Sequence, residues 1–223
     1  MDSQEIDRLA QKALDDLRSG SAHSRVVIGI AGVPGSGKTT LATAVASRIN
    51  QIQGSAEDLA VSIPMDGFHY SRKHLANMPN AEEAIHRRGA AFTFNGEGFF
   101  NLVQSLVNSP TELIYAPSFH HEIKDPVANS IPIPPSARIV LIEGNYCALD
   151  EAPWRDAAAL MTRLWYADAP AEVAHSRLAP RHLASGIVAD EREAWKRATG
   201  TDELNAQHIR TKLLKVDEII KSG

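Results

Sequence analysis

The stretch Gly32-Val33-Pro34-Gly35-Ser36-Gly37-Lys38-Thr39 limits what this chain can fold into more than any other. It satisfies the pattern G-x-x-x-x-G-K-[ST] at every fixed position. Glycines let a backbone turn tightly and bring its N–H groups against a polyphosphate with no Cβ in the way. Lys38 supplies a cation for β- and γ-phosphates, and the Thr39 hydroxyl can ligate Mg²⁺. A helix starting at this point adds the positive end of its dipole. The flanks agree. The apolar, β-branched run 25–31 reads as a buried strand, and Leu41, Val45 and Ile49 recur at helical spacing after the loop. The expected nucleotide-binding set is Gly32, Pro34, Gly35, Ser36, Gly37, Lys38, Thr39 and Thr40.

The remaining pattern is strand, helix, strand. Residues 2–19 carry Ile6, Leu9, Ala13, Leu14 and Leu17 along one helical stripe, an amphipathic helix for the core or for a second subunit. Residues 59–65 read as the second strand and deliver Asp66 at its C-terminal end, where ligands of open parallel sheets sit. Asp66 falls beside the phosphate loop if the two strands are close neighbours. The cluster Arg72, Lys73, His74, His86, Arg87 and Arg88 reads as a solvated helix face or as a lining for a polar substrate. Residues 99–107 are helical and 112–115 a short strand. The segment 117–135 holds so much proline that an irregular, functional loop is expected in place of paired strands. Arg138 to Tyr146 is a core strand, apolar until Glu143, which stands where a second phosphate-loop strand offers a carboxylate to Mg²⁺ or its waters.

Residues 153–161 are helical and 163–167 a strand. Asp168-Ala169-Pro170 reads as an acidic cap with an early proline. The helix beyond it carries Arg177 and Arg181, four apart and on one face. They either face solvent or clamp a transferring phosphoryl group. Two more helices, 188–199 and 202–214, precede a closing strand at 216–220. The alternation predicts an α/β fold, a doubly wound parallel sheet with helices on both faces.

Bulk properties remove several function classes. The chain has 223 residues and a formal net charge of −4, so no basic field argues for nucleic acid or an anionic membrane. No apolar run reaches the roughly 20 residues of a membrane helix. The acidic start is unlike a targeting peptide. A single cysteine, Cys147, fits a reducing compartment, and a cytoplasmic location is expected. No guanine-reading Asn-Lys-x-Asp and no Leu-Ser-Gly-Gly run occurs, which argues against a regulatory GTPase and a transporter ATPase.

Taken together, Gly32 to Thr39, Pro64-Met65-Asp66-Gly67-Phe68-His69, Leu141-Ile142-Glu143-Gly144-Asn145, and Asp168-Ala169-Pro170 with Arg177 and Arg181 resemble the P-loop kinases that include uridine kinase, phosphoribulokinase and bacterial-type pantothenate kinase. The segments 88–94, 124–127 and 202–206 are similar to its small sugar- or nucleoside-kinase-like branch. The resemblance implies one P-loop kinase domain over residues 1–223, with a helical lid at about 170–200. It implies transfer of the ATP γ-phosphoryl group to a hydroxyl of a small metabolite such as a nucleoside, a sugar or a pantothenate-like alcohol. Asp66 would be the catalytic base. Lys38, Arg177 and Arg181 would stabilise charge. Thr39 and Glu143 would hold Mg²⁺, Glu143 directly or through water. His69, Arg88 and His121 are candidate acceptor contacts, although His121 could equally serve only to bond the backbone. A homo-oligomer is compatible with the sequence. A non-catalytic nucleotide binder, an NTPase switch and a mononucleotide kinase are the alternatives.

Overall fold

A computed structural model describes residues 2–21, 24–120 and 122–222. In chain order the elements are α1 (Ser3–Ser19), β1 (Val26–Gly32), α2 (Lys38–Gln53), β2 (Ala60–Pro64), α3 (Arg72–Ala76), α4 (Ala81–His86), α5 (Gly96–Asn108), β3 (Ile114–His120), β4 (Asp125–Ile133), β5 (Ile139–Gly144), α6 (Trp154–Leu160), β6 (Arg163–Asp168), α7 (Ala171–Ala184), α8 (Glu191–Thr199), α9 (Thr201–Thr211) and β7 (Glu218–Lys221). A 3₁₀ turn, Met65–Phe68, follows β2 directly.

The main sheet has the order β2-β5-β1-β6-β7, and every pairing in it is parallel. Successive side chains of a strand point to opposite faces, and the two cores divide accordingly. Ile28 and Ile30 of β1 and Leu141 of β5 join Leu9 and Leu14 of α1 and Leu41 and Val45 of α2. Val27 and Ala31, with Val140 and Ile142, join Phe99 of α5, Trp154 of α6 and Ile209 of α9. Both faces are covered by helices, so β1 and β5 are buried along their whole lengths and read as continuous apolar runs. Helix α1 is capped by Asp2, whose carboxylate accepts from the Gln4 N–H at 3.1 Å. Its stripe packs on the core. Leu9 and Leu14 bury there at about 2 kcal/mol each.

Three sequence expectations change. First, β1 and β2 are not adjacent, because β5 lies between them. Second, the proline-rich segment is paired: β3 and β4 form a two-stranded antiparallel ribbon, with a register irregularity at Ala116/Ser118 around Pro117. Each strand of such a ribbon has one free edge, so a proline nitrogen that faces outward interrupts no ladder. Third, Asp168 is no cap. It ends β6 and pairs with Lys221 at 2.5 Å, while Pro170 occupies the cap position of α7.

Arg25, just before β1, is a buried cation held by carbonyl oxygens. Its Nε donates to Ala137 O at 2.9 Å and its Nη2 to Pro134 O at 3.2 Å, with longer contacts to Leu106 O and Glu112 O. Burial pushes its pKa below the ordinary arginine value, and nearby Arg138 adds to this. The guanidinium thereby ties α5 and the root of the ribbon to the central strand. Arg25→Ala strands buried acceptors and is expected to destabilise the fold by about 2–4 kcal/mol. Urea unfolding would read this as a lower midpoint at unchanged slope; a midpoint equal to wild type would refute the clamp.

Candidate active site

The loop between β1 and α2 is shaped by glycines. Gly35 and Gly37 have φ of 78° and 85°, in the left-handed region that other residues avoid. A Cβ on Gly32 would lie 2.4 Å from Ser36 Oγ and 2.8 Å from Ala167 O, so the strand must end there in glycine. Helix α2 starts with no side-chain cap and no acidic residue in its first turn. Its leading N–H groups therefore lack an acceptor within the helix, as an anion site requires. Lys38 folds back to donate to Val33 O at 3.3 Å. Thr40 is exposed beside it at the helix start.

Across from this loop, Thr39 Oγ1 donates to Glu143 Oε1 at 2.9 Å. The register of β5 against β1 sets that contact, since Glu143 pairs with Ile30, two residues before the loop. Burial raises the Glu143 pKa above the usual carboxylate range; Asp66 adds to the rise, and Lys38 opposes it most strongly. Burial lowers the Lys38 pKa, against the pull of Glu143 and Asp66. Lys38, Asp66, Glu143 and Arg181 thus form one electrostatic group. No cluster of three or more His, Cys, Asp or Glu side chains holds a metal among the described residues. Thr39 and Glu143 offer two oxygens on one side, which fits Mg²⁺, an ion that completes its shell with substrate phosphates and waters.

Asp66 sits in the 3₁₀ turn beyond β2, on the far side of β5 from the loop, yet lines the same cleft as Lys38, Thr39, Glu143 and Arg181. Tight packing holds the turn. A Cβ on Gly67 would come within 2.1 Å of Pro117 O in β3, and one on Gly144 within 2.3 Å of Met65 Cβ. His69 shares a hydrogen bond through Nδ1 with Asp66 O at 2.8 Å, and its ring lies 3.9 Å from Phe94 and 4.9 Å from Phe119. His69 lines the cleft.

The two arginines of α7 divide their tasks. Arg181 lines the cleft, whereas Arg177 donates to Ser222 Oγ at 2.9 Å and reaches Gly35 O at 3.5 Å, behind the loop. Arg88 is turned to the ribbon. It donates to Lys124 O at 2.8 Å, Tyr70 O at 3.1 Å and Asp125 Oδ1 at 3.2 Å, and the cleft-lining residue at that point is Gly89. His121 lies outside the described residues. Lys73, His74 and His86 are exposed, as a solvated face requires. Cys147 is buried, a packed thiol. The cleft also contains His182, Asp202 and Asn205, which the sequence reading did not single out for the site. The spacing Leu178, Arg181, His182, Ser185 marks one face of α7, and Asp202 with Asn205 one face of α9; those intervals were the available signal.

A parallel sheet carrying a phosphate loop, an acidic strand end and a carboxylate beyond the neighbouring strand defines a P-loop kinase. The sequence profile of the Phosphoribulokinase / Uridine kinase family matches residues 27–184, and the chain belongs to that family. It is 39% identical over 220 residues to a Schizosaccharomyces pombe protein whose name marks it as a candidate uridine kinase, covering 99% of this chain and 92% of the relative. It is 46% identical over 159 residues to an ATP-dependent kinase-like protein of Aspergillus versicolor, covering 70% of this chain and 92% of that one. The crystal structure of a candidate fructose transport system kinase from Silicibacter sp. TM1040 superposes with a TM-score of 0.83 at 31% identity, covering 96% of this chain and 98% of the other. No helix among the described residues is long and apolar enough to cross a membrane.

Proposed function

We propose that this kinase transfers the γ-phosphoryl group of ATP to a hydroxyl of a small metabolite. The observation that carries the reading is the meeting of Asp66, Lys38, Thr39, Glu143 and Arg181 in one cleft at the C-terminal ends of β1, β2 and β5. The phosphate loop would cradle the polyphosphate with backbone N–H groups, and Lys38 would neutralise its β- and γ-oxygens. Mg²⁺, held by Thr39 and by Glu143 directly or through water, would draw negative charge from the same oxygens. Asp66 would orient the acceptor hydroxyl and take its proton as the oxygen–phosphorus bond forms and the bond to ADP breaks. Arg181 would stabilise the charge that separates, and Arg177 would brace the loop from behind. His69, with its ring held between Phe94 and Phe119, would form part of the acceptor floor. Arg88 would act indirectly, by fixing the ribbon, and His121 remains a proposed acceptor contact. Residues 170–200, with α7 and α8, would be the lid that excludes water from a single kinase domain.

The test is an ADP-release screen that offers nucleosides, free and phosphorylated sugars, and pantothenate. One acceptor is expected to raise turnover far above the rate with water; no stimulation by any alcohol would leave a nucleotide binder or switch. Glu143→Gln keeps the shape and removes the charge, so half-maximal activity is expected to need roughly tenfold more Mg²⁺, as for loss of one charged partner. An unaltered Mg²⁺ titration would remove Glu143 from the metal site.

A further inference from the structure

Helices α7 and α9 close one side of the cleft with a polar arrangement that phosphoryl transfer itself does not use. His182 is buried, and its Nε2 lies 2.6 Å from Asp202 Oδ2. A carboxylate only accepts, so Nε2 donates in this bond, and Nδ1 is the second polar atom of the ring. That Nδ1 is buried and has no hydrogen-bond partner among the described residues. Asp202 lines the cleft, and its bond from His182 is the one hydrogen bond to its side chain among the described residues. One turn further along α9, Asn205 has its amide orientation set from behind. Arg87 Nη2 donates to its Oδ1 at 3.2 Å, which leaves the Nδ2 donor beside Gly89, 3.6 Å from where a Cβ would stand. Gly89 has φ of 112° and its carbonyl accepts from Tyr146 Oη at 2.6 Å, so the backbone stays clear of that donor.

Resting on the kinase reading above, we infer that His182, Asp202 and Asn205 form the acceptor-recognition wall of the cleft and select an uncharged polyhydroxyl compound. The wall presents the Asp202 carboxylate, held by His182, as an acceptor and the Asn205 amide as a donor, the complement of two vicinal hydroxyl groups. Buried polar groups that lose such partners are costly, so a compound without those hydroxyls is rejected. Charge sets the second limit. Among the described residues that line the cleft, the lysine and arginine are Lys38 and Arg181, and both act on Glu143, whereas Asp66 and Asp202 are two further carboxylates. Arg87 is tied to Asn205, and Arg88 to Asp125. A phosphate or carboxylate on the acceptor would meet the Asp202 carboxylate, and among the described residues no lysine or arginine that lines the cleft is bonded to it.

The experiment compares free ribose, fructose and uridine with ribose 5-phosphate, fructose 6-phosphate and glycerate, in wild type, Asp202→Asn and Asn205→Ser. Wild type is expected to turn over an uncharged compound with the highest kcat/KM. Asp202→Asn, which keeps the volume and can still accept from His182, is expected to raise the acceptor KM roughly 10- to 100-fold, as for loss of a charged hydrogen bond. The KM for ATP should stay within about twofold, because among the described residues no hydrogen bond joins Asp202 to the phosphate loop. Should Asp202→Asn melt early, Asn205→Ser decides, since it removes only the amide. A charged compound preferred by wild type, or an acceptor KM equal to wild type in a folded variant, would overturn the wall alone. If neither these alcohols nor any other in the screen above stimulates wild type, the kinase reading falls and the wall falls with it; stimulation by a charged alcohol alone overturns only the wall.

Discussion

Asp66→Asn is expected to abolish acceptor-stimulated ADP release, with kcat lower by on the order of 10²–10⁴-fold, the contribution of a positioned general base. The substitution is informative because it is nearly silent for the fold. The bonds that shape the turn, from His69 N at 3.1 Å and His69 Nδ1 at 2.8 Å, go to the Asp66 backbone carbonyl and survive the change. The side chain keeps its size and loses its negative charge together with its capacity to take a proton. The effect should therefore fall on kcat, with nucleotide affinity retained. Equal kcat in mutant and wild type would mean that no proton passes to Asp66, and the proposed mechanism would be abandoned.

Lys38→Ala should fail in a different way. Glu143 and Asp66 both act on Lys38, and its ammonium, together with Arg181, offsets the Glu143 charge in the cleft. Without it a polyphosphate would meet two carboxylates, and nucleotide binding should weaken together with turnover. A loss of about 10²-fold or more in kcat/KM for ATP is expected, comparable to removing one preorganised charge-stabilising group. The contrast is diagnostic: one variant binds and does not transfer, the other scarcely binds. Titration calorimetry with ATP separates them, and full ATP affinity in Lys38→Ala would remove the phosphate-loop assignment.

What the sequence disclosed follows from the range of the interactions involved. The phosphate loop, β1 and the acidic end of β5 were legible because each is a local pattern: a glycine spacing, an apolar run, one charge at a strand end. Asp66 was placed beyond its strand correctly, although the intervening β5 could not be inferred from order along the chain. The ribbon of β3 and β4 was missed because proline excludes central strands and says nothing against a ribbon with two free edges. The partner of Arg88, Asp125, stands 37 residues on, beyond the reach of any local pattern. The His182–Asp202 bond joins helices 20 positions apart, and no local rule pairs them.

The absence of a side chain at Gly67 has a mechanical outcome. The ribbon's backbone presses on the very turn that carries Asp66, with no slack between them. A shift of the ribbon at Pro117 is therefore expected to carry the Asp66 turn with it. A change of backbone position at Pro117 would then alter the aim of the Asp66 carboxylate.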